Sequence, residues 1–360
     1  MSETPSAKKS DDIAHLGTGV SAGLTAQHSD AAKLTAAGLP VLHTGLQLAE
    51  ALGIPVSVLR WLTFHRRGAA LVHYHRYGIP KKTGGVRAIS APKKKLASAQ
   101  QWVQDRLLTK LIVDDNAHGF VRQRSVVTNA RPHVNKPVVI NLDMRDFFPT
   151  ITFRRVKGLF VKVGYGEAVA TVLALLCTEP PRVDVEIDGT RLKIALGERV
   201  LPQGACTSPA LSNVLCRRLD RRLAGIARSV GFAYTRYADD LTFSGDDAGE
   251  SAFLIGSALT ILQAEGLRLN GEKTRVMRRG RRQEVTGVVV NVKPTVARDE
   301  VRRLRAILHN CARFGLASQN RQQHHDFATH LTGKVAWVNM VDPPRGAALA
   351  VLLQRALLVG

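Results

Sequence analysis

Two short runs constrain this chain more than anything else in it. "VVINLD" (Val138–Asp143) is an apolar run that ends in a carboxylate, and "TRYADDLTFS" (Thr235–Ser244) sets Asp239 and Asp240 among strand formers. Val138, Val139 and Ile140 have the pattern of a buried strand. Acidic residues are depleted in strands, so a paired Asp at the centre of such a run needs a reason. One reading is a hairpin tip with both carboxylates in water, because Asp tolerates turn conformations. The other is a turn that holds the two carboxylates out to bind a divalent cation through hard oxygen ligands.

The second reading requires a third carboxylate on another strand. Asp143 supplies it at the end of the apolar run, whereas Asp146, three residues on, does not keep to the same strand face. Carboxylates from different strands are what a two-metal site needs, with ions roughly 3.5–4 Å apart, and the chemistry of such a site is nucleotidyl transfer. Asp143 and Asp239 are then the bridging ligands. Asp240 is a secondary ligand or a structural partner of the hairpin.

The charge balance points the same way. Lys and Arg exceed Asp and Glu to give a formal net charge of +22 over 360 residues. So large a surplus favours a polyanionic partner, nucleic acid or an anionic membrane surface. No apolar run approaches the ~20 residues that span a bilayer, and the N-terminus lacks an apolar signal core. Nucleic acid is the better fit. Cys177, Cys206, Cys216 and Cys311 lack the spacing of a zinc site or a disulfide framework, which suits a reducing cytoplasm.

Along the chain, residues 1–40 are rich in Ser, Ala, Thr and Gly and read as a flexible tail or a weak helix. Leu46–His65 is a helical lead-in, bent or split near Pro55. "YGIPKKTGGVRAISAPKKKL" (Tyr77–Leu96) reads as a hairpin with Lys81 and Lys82 at its tip and Arg87 on the return strand. It is either a solvated basic hairpin or a finger that closes over phosphates. In "LPQGACTSPALSNVL", Ser208 and Pro209 are expected to open a helix, and Gln203 could face an incoming nucleotide. "EVTGVVVNVKPTV" reads as a hairpin. The helix that follows carries an apolar stripe of Val301, Leu304, Ile307, Leu308 and Cys311, with Arg302, Arg303 and Arg305 outside it.

In this order the motifs resemble those of a reverse transcriptase, from about Tyr77 to the C-terminus. The resemblance implies an α/β right-hand polymerase, with fingers, a palm with an antiparallel sheet, and a small C-terminal helical thumb. It places the metal aspartates on Asp143, Asp239 and Asp240, the last two within "YADD". It gives Lys82 and Arg87 the triphosphate, Gln203 a wall of the nucleotide pocket, and Phe148 the exclusion of a ribose 2′-OH. Lys273 becomes the donor of a proton to pyrophosphate. "NARPH" (Asn129–His133) and "VTG" (Val285, Thr286, Gly287) resemble the signature boxes of bacterial retron reverse transcriptases. For these boxes the resemblance implies contact with RNA, although His133 reads equally well as a structural histidine.

As a retron enzyme it would copy part of its own structured non-coding RNA, starting from the 2′-OH of an internal guanosine. The product would be branched msDNA, in a system of anti-phage defence with an effector protein. Two Mg2+ ions, with Mn2+ as a substitute, dNTPs, and a host ribonuclease H are the implied cofactors and partners; no membrane is involved. The implied division is a tail at 1–40, a lead-in at 41–76, fingers at 77–142 with the N-A-x-x-H region, a palm at 143–292 with a finger insertion at about 155–200, and a thumb at 293–360. Rival readings are a diversity-generating or group II intron enzyme and a non-catalytic RNA-binding protein on the same scaffold.

Overall fold

The computed structural model describes residues 28–64, 68–69, 71–80 and 84–358. The chain divides into two units, Met1–Ile112 with Phe148–Leu215, and Val113–Phe147 with Cys216–Gly360.

The first unit carries strands β1 (Gly68–Ala69), β2 (Tyr74–Pro80), β3 (Val86–Pro92), β5 (Arg182–Ile187) and β6 (Thr190–Ala195), while β4 (Val138–Arg145) belongs to the second. β2 and β3 form an antiparallel hairpin in which Ile79 faces Arg87. β5 and β6 form another, with β1 on the outer side of β6. Helices pack around them. Lys94–Arg106 buries Leu96 and Val103, and Glu167–Cys177 buries Val169, Leu173 and Leu176. The lead-in is split as its proline demands: Gly45–Ala51 and Val56–Thr63 are separate helices, and Pro55 caps the second.

The second unit is organised by a four-stranded antiparallel sheet in the order β7-β8-β4-β9. β4 is Val138–Arg145, β7 Ala233–Tyr237, β8 Asp240–Gly245 and β9 Arg268–Arg278. β4 is central, so Val138, Val139 and Ile140 lose all exposure. Each such side chain contributes roughly 1.5–3 kcal/mol by leaving water. β10 (Glu284–Val285) and β11 (Val288–Val289) form the expected short hairpin. Thr286 and Gly287 turn it with positive φ of 47° and 84°, the pairing that a two-residue turn between twisted strands favours. The helix Arg298–Phe314 buries Val301, Leu304, Leu308 and Cys311 against Phe327–Val341 and Pro343–Leu358.

Three sequence expectations change. Within 28–40 the weak-helix alternative holds rather than the tail: Asp30 caps the helix Ala31–Ala36, Leu34 is fully buried, and the Gly164 carbonyl accepts the Asp30 N–H at 2.7 Å. Residues 1–27 lie outside the described residues. Residues 113–142, expected with the fingers, belong to the unit that holds the four-stranded sheet, where the His133 ring bonds to Thr235 and Ser244 of that sheet. The helix after "LPQG" begins at Thr207 rather than Ser208, and it breaks at Cys216 before Arg217–Ser229. The Ser208 hydroxyl is turned to the Pro202 carbonyl at 2.7 Å instead of capping.

Candidate active site

The carboxylates meet at one end of the four-stranded sheet. Asp143 and Asp240 are directly opposed in the β4–β8 register, so their side chains share a face. Asp239 is the second residue of the two-residue turn joining β7 to β8, where Tyr237 pairs with Asp240. The first turn residue, Ala238, has φ 56°, the left-handed conformation the primed hairpin turns require. The Asp239 carbonyl accepts the Met144 N–H at 3.0 Å, which ties the turn to β4. The β4–β9 ladder shifts register between Asn141 and Asp143, which face Arg275 and Asn270, so the extra residues bulge from β9.

Lys273 Nζ donates to Asp143 Oδ1 at 2.8 Å, and Asn270 Nδ2 donates to Oδ2 at 3.1 Å. The bond to Asp143 raises the Lys273 pKa, so the ammonium is held charged. The Asp240 carboxyl is pushed up to about 7, through lost solvation and then through the like charges of Asp239 and Asp143, with Lys273 opposing. The residue as a whole stays exposed, so the like charges are the firmer cause. Among the described residues no three His, Cys, Asp or Glu groups converge as a ready metal cage. Asp143 faces Lys273 and Asn270 instead.

A buried charge pair stands behind the turn. Asp220 accepts from Arg236 Nε and Nη2, both at 2.7 Å, and from the Tyr234 hydroxyl at 2.8 Å. Arg236 Nη1 donates to the Ala238 carbonyl at 3.1 Å. Burial pulls the Arg236 pKa down, but Asp220 outweighs it and the guanidinium stays charged.

In the first unit, the Gln203 carbonyl accepts the Ser90 N–H of β3 at 2.7 Å. Gly204 follows at φ 121°, with a Cβ there only 2.8 Å from Ile89 and 3.0 Å from the Ser90 carbonyl. The "PQG" loop is thus locked to the finger hairpin by backbone, and no larger residue fits. Arg87 is exposed on β3, and Gln203 and Phe148 are half-buried. Phe147, its neighbour, is the one that enters the core. Lys82 lies outside the described residues.

Residues 79–304 match the family model described as reverse transcriptase (RNA-dependent DNA polymerase). The retron Mx65 reverse transcriptase of Myxococcus xanthus is 48% identical, covering 89% of this chain and 74% of its own. The chain belongs to the retron reverse transcriptases. The retron Mx162 enzyme of the same organism is 42% identical over 96% of this chain and 75% of its own. The retron Ec86 enzyme of Escherichia coli is 32% identical over 79% and 83%. This retron reverse transcriptase is therefore an RNA-directed DNA polymerase on a mixed α/β fold with antiparallel sheets and a C-terminal helical region. It belongs to a class of enzymes that works with divalent cations and an RNA template. No helix among the described residues is long and apolar enough to cross a membrane.

The two subfamily boxes of this retron reverse transcriptase pack against each other rather than outward. Asn129 Nδ2 reaches Thr286 Oγ1 at 3.4 Å, and the Asn129 carbonyl accepts from Thr235. His133 is fully buried, its ring nitrogens 2.7 Å from Ser244 Oγ and 2.8 Å from Thr235 Oγ1. Burial pushes its pKa down to about 3, so the ring is neutral. The expectation that Asn129 and His133 contact RNA is corrected: neither side chain has surface to offer, and both fasten the palm strands. Val285 is likewise buried, whereas Gly287 is exposed beside Trp337. Arg236, Asp220 and Asn270 complete the site without any signal in the sequence beyond Arg236 standing one residue before "YADD".

Proposed function

We propose that Asp143, Asp239 and Asp240 hold two Mg2+ ions, with Mn2+ able to replace them, in RNA-templated DNA synthesis. The observation that carries this reading is the opposed register of Asp143 and Asp240 beside the Asp239 turn. The donor set fits: these are hard oxygen ligands, and the raised pKa of Asp240 marks negative charge that a cation would relieve. When bound, the ions would activate the attacking hydroxyl and neutralise the triphosphate.

The chain's own residues do the rest in this reading. Lys273 turns from Asp143 and, as a charged ammonium, donates a proton to the leaving pyrophosphate. Lys82 and Arg87 hold the triphosphate, Gln203 forms a wall of the nucleotide pocket, and Phe148 blocks a 2′-OH. Thr286 and Gly287 remain the box residues available to RNA. The template is a dedicated non-coding RNA primed at an internal guanosine 2′-OH, giving branched msDNA. Host ribonuclease H trims the template, and an effector protein links the cytoplasmic complex to anti-phage defence.

The test is to express the protein with its own flanking DNA and extract the nucleic acid that copurifies. A small DNA that shifts after ribonuclease and after debranching is expected. It should vanish when Asp239 and Asp240 are both replaced by Ala; its persistence there refutes the metal reading. Wild-type protein that copies an added primer–template but carries no such DNA refutes self-priming.

A further inference from the structure

The loop spanning residues 114–125 is pinned more firmly than a connector requires. Arg124 Nη1 donates to the carbonyls of Asp114, Asp115 and Ala117 at 2.7, 3.0 and 2.7 Å. The backbones of Asn116 and His118 pair with Arg236 at 2.7 Å on both sides. Gly119 then passes so close to the carboxylate turn that a Cβ would lie 2.6 Å from Ala238 N.

What this frame presents is Phe120. It holds φ 60°, a region disfavoured for any residue with a Cβ, and its side chain stays out of the core, 57% exposed. Its ring lies 6.3 Å from that of Tyr237 and tilted 40° to it. Both backbone preference and the hydrophobic effect oppose an aromatic held this way, and such outliers cluster at ligand clamps. Tyr237 leads directly into Ala238 and Asp239, and exposed Arg122 follows two residues after Phe120.

We propose that Phe120 is a positioning residue that packs against the terminal nucleotide of the primer strand. This rests on the reading of Asp143, Asp239 and Asp240 as the metal site, since polymerisation brings the primer's terminal hydroxyl there. Every nucleobase offers a π-face to an aromatic ring, and Arg122 offers a cation to the adjoining phosphate.

The test is single-nucleotide extension of a DNA primer on an RNA template, the primer ending in either an intact or an abasic nucleotide. Phe120→Ala is expected to lose roughly tenfold in kcat/KM on the intact primer, the size of a lost base–aromatic stack. The dNTP KM should move by less than about twofold. On the abasic primer the wild type should fall to the rate of Phe120→Ala, and that variant should lose nothing further. Phe120→Gly should show the same loss with a melting temperature at or above wild type, because glycine relieves the left-handed strain. Equal abasic penalties in the two enzymes overturn the proposal, as does coupling that appears only when the template base is removed. Asp240→Asn runs alongside: full extension by that variant would sink the metal-site reading, a failure separate from loss of the Phe120 coupling.

Discussion

Replacing Asp220 by Ala should unfold the palm unit more readily than any surface change, and the cost can be worked from the contacts. The carboxylate accepts three hydrogen bonds, two from Arg236 and one from Tyr234, and both Asp220 and Arg236 have no exposed surface. Its removal leaves a buried guanidinium without its countercharge and a buried phenol without its acceptor. Breaking one side of such a pair costs about 3–5 kcal/mol. At roughly 2–4 °C per kcal/mol for a unit of this length, the melting temperature should drop by about 6–20 °C. Asp220→Leu combined with Arg236→Met should recover most of that loss, since apolar residues of similar volume replace buried ion pairs well. Polymerase activity should not return with it, because the left-handed Ala238 carbonyl has lost the Arg236 Nη1 donor. Thermal unfolding and primer extension on the three proteins separate the two effects. A single variant that melts within about 2 °C of wild type refutes the energetic reasoning. A double variant with full activity refutes the clamp.

Two other outcomes follow from the site. Phe148→Ala should let ribonucleotides compete with deoxynucleotides in extension assays, and unchanged sugar discrimination would return the ring to a packing role. His133 is buried neutral with its pKa pushed from 6.5 down to about 3, while the unfolded imidazole titrates near 6.5. Stability is therefore complete above about pH 6.5 and declines as the pH falls toward 3, by about 2 kcal/mol at pH 5. His133→Gln should flatten this part of the pH–stability curve, and an unchanged slope would show that other groups set it.

Much of the architecture follows from local pattern. The valine run made β4 a central strand, Pro55 split the lead-in, and the 3.6-residue period of Val301, Leu304, Leu308 and Cys311 made the last helices a packed bundle. Local pattern left residues 28–40 open between a tail and a weak helix, where small polar residues masked a cap at Asp30 and a single buried anchor, Leu34. It left His133 open between RNA contact and a structural role, because a short polar box reads the same whether its side chains face solvent or the underside of a sheet.

The sequence by itself picked out the three carboxylates of the candidate site, since an acidic pair in a strand context, a third carboxylate after an apolar run, and a strongly basic composition together suit phosphate chemistry. Tertiary structure decided how they face one another. The opposition of Asp143 to Asp240 is a matter of register between strands nearly a hundred residues apart, and a one-residue slip would turn either carboxylate to the other face. The Arg236–Asp220 clamp, the Asn129–Thr286 contact between the two subfamily boxes and the strained presentation of Phe120 exist only once distant segments pack. Side chains that act through burial or backbone strain leave no periodicity for a sequence to show.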